Sequence, residues 1–373
     1  MKKKVYVDLF YLNTALTGIK TYMLEFVASV NTYPHPDIEY IFSHDPDQQS
    51  QNDFFRGKQP KWKTLYYHLY YFLWKQFLLP WKALTSGAES IINFDFVGPA
   101  LTGKKSFTVI HDAFFWQMPQ NYSPWWRKYF IHMIYAGLKE EDVVITTSEV
   151  AKNAIQTHTL IGQIPHVIYQ CPNLYEGEGD KNILSQLGLE KNGFFFHLGS
   201  FDKRKNLPLL IHAFAQFLRD NSSETKLVLA GERGLGKTVD DWETVLETIR
   251  EHGLENKVIL PGFISDAAAK TLYEYALAYV FPSQNEGFGI PVIESMRLHT
   301  PVIISSQEAL VEIAGGAALI HQTGNAVDLK EKMESLYCDP ELRKQFIELG
   351  KIRKEVFSRK AFADAYHRLI LTN

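Results

Sequence analysis

Residues 281–294 read FPSQNEGFGIPVIE. An apolar run stops at Pro282, a polar loop carries Glu286 and two glycines, and Ile290-Pro291 opens a helix, since proline suits the first helical turn. A strand that ends in a glycine-bearing loop and passes straight into a helix is the βα unit of a parallel α/β sheet. Gly287 and Gly289 let backbone N–H groups approach a ligand closely, and the helix N-terminus adds partial positive charge suited to a phosphate. Glu294 falls about one turn into the helix, so the two carboxylates are placed to grip two ends of one polyol ligand. Taken alone, each also reads as a helix-start residue favoured by the dipole; loop, glycines and spacing together favour the ligand reading.

Outward from this unit the pattern recurs. Strands are expected at 194–198, 226–230, 258–260, 302–304 and 318–320 as well as 279–281, with helical stretches between them. Residues 196–214, FHLGSFDKRKNLPLLIHAF, end a strand in Gly199-Ser200. A basic cluster then precedes a helix with Leu209, Leu210, Ala213, Phe214 and Phe217 on one face. Arg204 and Lys205 at a strand's carboxyl end suit a diphosphate, the arginine as a planar fork and the lysine as a point charge. In isolation the cluster reads equally well as solvated surface.

The first 170 residues alternate in the same way, with strands at 4–8, 39–43, 90–94, 107–110 and 143–147. Thr17 is a candidate cap for a helix bearing Ile19, Met23, Phe26, Val27 and Val30, with Gly18 at its start. His111-Asp112 closes the strand 107–110, the edge where a ligand-facing residue belongs. Pro172, Gly177, Gly179 and Gly188 interrupt residues 171–192 and place an interdomain boundary near Asp180. From Asp328 the pattern is helical, with Pro340 opening one helix and Ser358 capping the last. The expected organisation is an α/β domain over 1–179, a second over 180–357, and a helix over 358–373 that crosses back to the first. Two such domains make a cleft between them the default ligand site.

A length of 373 residues, 46% apolar and 22% charged, suits two globular domains. Thirty-nine Lys and Arg against 42 Asp and Glu leave a net charge of −3, so no global field favours nucleic acid or an anionic membrane. Cys171 and Cys338 lie far apart without metal-like spacing and read as packing residues in a reducing compartment. The start is too weakly apolar for a signal peptide, and the run 65–81 is broken by His68, Lys75 and Gln76. A cytoplasmic protein without a membrane span is therefore expected. Asp45-Pro46-Asp47 sits in a polar loop away from the other motifs, and no metal site is expected.

Residues 56–88 hold Arg56, Lys58, Lys61, Lys63, Lys75 and Lys82 among many aromatics, and no acid. The segment reads either as a surface for an anionic membrane or lipid-linked acceptor, or as a mostly buried helix with lysines at its solvated ends. The aromatic group Phe114, Phe115, Trp116, Tyr122, Trp125, Trp126 and Tyr129 either stacks on acceptor sugars or is packing.

Gly199-Ser200 with Arg204-Lys205-Asn206, Ala230-Gly231-Glu232, LPGFISD at 260–266, the 281–294 block and PVIIS at 301–305 resemble the large retaining glycosyltransferase family that includes bacterial mannosyltransferases and sucrose synthase. Asp8, Thr17-Gly18-Ile19, WKQFLLP at 74–80, His111-Asp112 and Thr147-Ser148-Glu149 extend the likeness more thinly into the first half. The resemblance implies the GT-B architecture, two Rossmann-like doubly wound domains facing a central cleft. It further implies metal-independent, retaining transfer of a hexose or deoxyhexose, mannose first, from a nucleoside diphosphate sugar, GDP- or UDP-linked. The implied acceptor is a glycan or lipid-linked glycan in cell-surface polysaccharide or glycoprotein-glycan biosynthesis, reached at the inner face of the membrane, and no resident cofactor takes part.

By the same resemblance Arg204 and Lys205 hold the donor diphosphate, Glu294 the ribose, and Glu286 with the backbone of Gly287, Phe288 and Gly289 the donor sugar. Ser200 and Ile290 complete the donor site, Gly231 and Ile264 flank the base, Gly18 lets the N-terminal loop approach the phosphates, and His111 lies over the donor sugar at the reaction centre. His111, Glu286, Arg204 and Lys205 are the implied catalytic set. The stretch 169–174, YQCPNL, departs from the Asn-Gly of many relatives. Glycosyl phosphorolysis, or a non-catalytic glycan- or nucleotide-binding partner of a membrane glycan-assembly complex, are the competing readings.

Overall fold

Short parallel strands, buried on both faces, organise the chain into two separate sheets. The computed structural model describes residues 2–15, 18–51, 60–234 and 239–373, without the side chain of Lys61. The expected cap Thr17, Arg56, Lys58 and the Lys61 side chain lie outside the described residues.

The first sheet comprises β1 (Lys3–Val7), β2 (Ile38–Phe42), β3 (Ser90–Asn93), β4 (Lys105–Val109), β5 (Val143–Thr146) and β6 (His166–Val167) in the order β2-β1-β3-β4-β5-β6. The second comprises β7 (Phe194–Leu198), β8 (Lys226–Ala230), β9 (Val258–Gly262), β10 (Ala278–Phe281), β11 (Val302–Ser305) and β12 (Leu319–His321) in the order β12-β11-β10-β7-β8-β9. Neighbouring strands pair in parallel in both. Central strands such as β3, β5, β10 and β11 are buried along their whole length, which is why they read as unbroken apolar runs rather than alternating ones. The second order is that of a dinucleotide-binding fold, with its direction reversing between β7 and β10; the first reverses between β1 and β3.

The chain divides into one unit of Met1–Pro172 with Phe357–Asn373 and another of Asn173–Val356. The division therefore precedes the Asp180 position expected from glycine and proline spacing. The reason is polar: Asn173 Nδ2 donates to Asp266 at 3.1 Å and the Tyr175 hydroxyl donates to Glu294 at 3.0 Å, which ties this stretch into the second unit. The helix Arg359–Thr372, capped by Ser358, lies on the helix Gly18–Thr32 of the first unit. Tyr22 and Tyr366 hydroxyls meet at 2.6 Å there, and Arg359 Nε donates to Glu25 at 2.7 Å.

Three sequence expectations change. The two-residue β6 was not foreseen, being too short to carry a period. Asp45 does lie in a loop, where it accepts from the Gln48 backbone at 2.9 Å, but Pro46 and Asp47 open the short helix Pro46–Gln51. Cys171 is buried as a packing residue, but Cys338 is exposed at the end of the helix Ala326–Cys338.

The ends of β7 and β8 approach so closely that a side chain at Gly231 is excluded: its Cβ would lie 1.9 Å from the Gly199 carbonyl oxygen, at a φ of +136°. Gly231→Ala should therefore lower the calorimetric unfolding midpoint markedly, by several kcal/mol of clash and strain (~3 kcal/mol). Gly103→Ala, which meets nothing within 4 Å, should leave the midpoint nearly unchanged.

Candidate functional site

At the point where the second sheet reverses, the loops after β7 and β10 lie side by side. The turn Lys203–Lys205 follows β7, and Asn206, at a φ of 54° that asparagine tolerates, launches the helix Leu207–Asn221 with Pro208 in its first turn. This reversal aims Arg204 and Lys205 at the neighbouring loop. Ser283 Oγ and the Gln284 backbone both donate to the Arg204 carbonyl, at 2.9 and 2.7 Å, stitching the loops together.

Glu286 sits at the centre of this junction and is 9% exposed. Its Oε1 lies 2.5 Å from Arg204 Nη1 and 2.7 Å from Lys205 Nζ, and accepts from Ser283 Oγ at 2.7 Å. Burial works against the negative charge, but Arg204 and Lys205 outweigh it and hold the carboxyl at about 2. Burial, with Arg204 beside it, brings the Lys205 ammonium down to about 8 against the pull of Glu286. The ammonium also stands over the Phe281 ring, 4.3 Å from its centre. Arg204 remains about one third exposed, so it is the cation that an arriving anion meets. Ser200 Oγ donates to Asp202 at 2.6 Å on the rim of the same cluster.

Past Glu286 the chain runs through Gly287 and buried Phe288 to Gly289, whose φ of 108° turns it into the helix Ile290–Arg297. A Cβ at Gly289 would fall 2.6 Å from a Leu310 methyl, so glycine is required there for two reasons at once. Inside this helix Glu294 is buried, and its Oε2 accepts from Tyr175 and Tyr273 hydroxyls at 3.0 and 3.3 Å. Burial raises its carboxyl to about 7 against those two donors. Gly231 closes β8 with its backbone N–H on the Gly262 carbonyl at 2.9 Å, and Ile264, just beyond β9, packs on the core of the second unit.

The structure thus gathers Ser200, Arg204, Lys205, Glu286 and the glycine loop at one strand edge, with Glu294 one helical turn deeper and Gly231 and Ile264 on the neighbouring strand ends. Gly18 and His111 belong to the first unit. His111 follows β4, and its Nε2 donates to the Phe94 carbonyl at 2.7 Å. Tyr22, one turn into the helix that Gly18 opens, meets the imidazole edge-on with ring centres 5.1 Å apart. Burial lowers His111 to about 4 against that hydrogen bond, so the ring is neutral at pH 7. Because a carbonyl only accepts, Nε2 carries the proton.

Sequence reasoning missed Ser283, Tyr175, Tyr273 and His197. Ser283 was legible within the motif as a polar residue in an otherwise apolar strand exit. His197, inside β7, is fully buried with its Nδ1 on the Val280 carbonyl at 2.9 Å, and burial holds it neutral, at about 3. Tyr175 carried no local signal. Among the described residues no group of three metal-ligating side chains comes together.

Residues 180–353 match the family described as Glycosyl transferases group 1. The chain is 25% identical over 224 residues to the O-antigen chain mannosyltransferase B of Escherichia coli, covering 58% of this chain and 57% of that one. It is 30% identical over 192 residues to the O-antigen chain mannosyltransferase RfbU of Salmonella typhimurium, covering 51% and 50%. The chain thus spans about half the length of these curated relatives. Among solved structures, the HepE protein of Anabaena in complex with UDP and glucose superposes over the whole of both chains with a TM-score of 0.72 at 17% identity. That likeness shows the GT-B fold.

The Glu294 carboxyl makes stability depend on pH. Folded protein keeps this proton up to about pH 7, whereas the unfolded chain releases it near the ordinary value of 4.5. The folded state binds more protons in that window, so stability falls as pH rises from 4.5 to 7 and levels off above. Glu294→Gln should flatten the thermal midpoint across this range, and a wild-type slope in the variant would sink the assignment.

Proposed function

We propose that this chain, whose residues 180–353 form a glycosyl transferases group 1 domain, is a retaining, metal-independent hexosyltransferase. It takes mannose from a nucleoside diphosphate sugar and gives it to a glycan or lipid-linked glycan in polysaccharide or glycoprotein-glycan biosynthesis. The observation that carries this reading is the Glu286 cluster: two cations and a helix N-terminus converge on the reversal point of a dinucleotide-type sheet.

The chemistry follows from charge. When the glycosyl–phosphate bond breaks, the diphosphate gains negative charge and the anomeric carbon gains positive charge. Arg204 and Lys205 are already in place to neutralise the leaving group, the role that a divalent cation plays elsewhere. Glu286 stays ionised beside them, so the face turned to the sugar offers a fixed negative charge and an acceptor for its hydroxyls. Glu294 offers its carboxyl oxygens to the ribose, and the backbone around Gly231 and Ile264 takes the base. His111 contributes a neutral imidazole from the first unit, oriented by Phe94. The acceptor hydroxyl attacks on the face that the diphosphate leaves, and a phosphate oxygen of the leaving group takes its proton. Mannose as the sugar is supported by the two O-antigen mannosyltransferases that the chain is similar to.

A thermal-shift series with GDP, UDP, dTDP and ADP tests the donor site. One nucleotide should raise the midpoint with and without EDTA, and Arg204→Ala should abolish the shift. No shift with any of them removes the transferase reading in favour of a binding protein that has lost its donor. His111→Ala should keep the nucleotide shift while lowering kcat at least about a hundredfold. Because the ring is neutral from about pH 5 upward, the wild-type kcat profile should show no break from His111 between pH 6 and 8. A nucleotide shift lost together with turnover would make His111 a structural residue.

A further inference from the structure

The helix Lys61–Leu73 continues through a π-turn, Trp74–Leu78, into the helix Leu79–Thr85. Its inner face packs on the first sheet through Tyr71, Trp74, Leu79 and Ala83. Its outer face is also apolar, and its large side chains are exposed. Trp62, Leu65, Leu69, Phe77, Trp81 and Leu84 are each more than half exposed, Leu65 at 71% and Trp81 at 60%. A helix apolar all round normally has something on both sides.

The outward residues stay in one line. Residues four apart drift by about 40° per step on an α-helix, and the extra residue in a π-turn takes drift back out. Pro80, which has no N–H to give to the Gln76 carbonyl, sits where the wider turn ends, with the Leu79 N–H on the Trp74 carbonyl. The result is one straight stripe about 35 Å long, at 1.5 Å per residue. A second helix, Pro124–Ala136, shares the same core cluster and so covers the same side of the sheet. It turns Trp126 and Phe130 inward, stacked 4.9 Å apart, and leaves Trp125 83% and Tyr129 41% exposed.

Charge identifies the occupant. Neither helix contains an aspartate or glutamate, while Lys63, Lys82, Arg127 and Lys128 lie along them in a chain whose net charge is −3. Among the described residues no helix is long and apolar enough to cross a membrane. Tryptophans at both ends of an apolar stripe, with lysines and no acid, are the pattern of a helix that lies in the plane of a lipid–water interface.

We propose that the outer faces of these two helices dock the first unit onto an anionic lipid bilayer, with the aromatic stripe in the headgroup layer and the lysines on acidic headgroups. The proposal is independent of the donor site. Its test is flotation of the full chain with vesicles of phosphatidylcholine alone and of phosphatidylcholine with phosphatidylglycerol. Wild type should float with the anionic vesicles and at least tenfold less with the neutral ones, and added salt should weaken the binding.

Leu65→Glu with Trp81→Glu should abolish flotation while keeping the thermal midpoint and the nucleotide shift, since both side chains are outside the core. Lys82→Gln with Lys128→Gln should remove most of the anionic preference. Failure of wild type to float with either vesicle overturns the proposal. So does a concentration-dependent dimer in sedimentation that the Leu65/Trp81 variant dissolves, because a second copy would then cover the stripe.

Discussion

A carboxylate that cannot be buried alone organises the second unit. Glu286 sits in an interior where an unpaired charge is prohibitively costly, so it exists there only because Arg204 and Lys205 are delivered to the same oxygen from another loop. That requirement fixes much else. The loops after β7 and β10 must be neighbours, which the strand order provides, and their backbones must be pinned, which Ser283 and Gln284 do on the Arg204 carbonyl. Strand ends must also close up to the point where only glycine fits at Gly231. Removing Glu286 would leave Lys205 buried beside Arg204 with like charge facing like, a loss of about 3–5 kcal/mol by comparison with other broken buried pairs.

The first unit solves a similar problem in the opposite sense. There a lysine is the buried ion: Lys75 Nζ lies 2.7 Å from Asp8 and 2.5 Å from Asp95, at the ends of β1 and β3 where that sheet reverses. Trp74 Nε1 and the Phe10 backbone also donate to Asp8, both at 3.0 Å, and the Tyr71 hydroxyl donates to Asp95 at 2.9 Å. Burial opposes the charge on Lys75, but the two carboxylates outweigh it and raise its ammonium. The π-turn is thus held to the sheet by ions as well as by apolar packing, and to its own helix by backbone hydrogen bonds.

Legibility in the sequence followed the range of the interaction that decides each feature. Every strand of three residues or more was readable, because β-branched and aromatic runs bounded by glycine and proline are local signals. So was the placement of the basic cluster on the same edge as the acidic loop, since both lie at strand ends and the βα rhythm puts such ends together; that the two pair with each other was not. What was hidden is long-range. Nothing near Lys75 announces Asp8 and Asp95, so a lysine in an aromatic segment reads as a solvated one. Nothing near Tyr175 announces Glu294, so the boundary was read from glycines and fell late. Over residues 61–85 one face is buried core and the other is exposed, and a linear pattern rich in apolar residues does not say which side is which.

Tyr175 stands two residues past Asn173, where the second unit begins, and its phenol occupies a lone pair of Glu294 Oε2. A diol that donates hydrogen bonds to that carboxyl group competes with the phenol for the same oxygen. The grip on the connecting segment and the occupancy of the site are then two entries in one equilibrium, each weakening or strengthening the other by an equal free energy. A single tyrosine hydroxyl thereby makes the linker a reporter of what meets the Glu294 carboxyl.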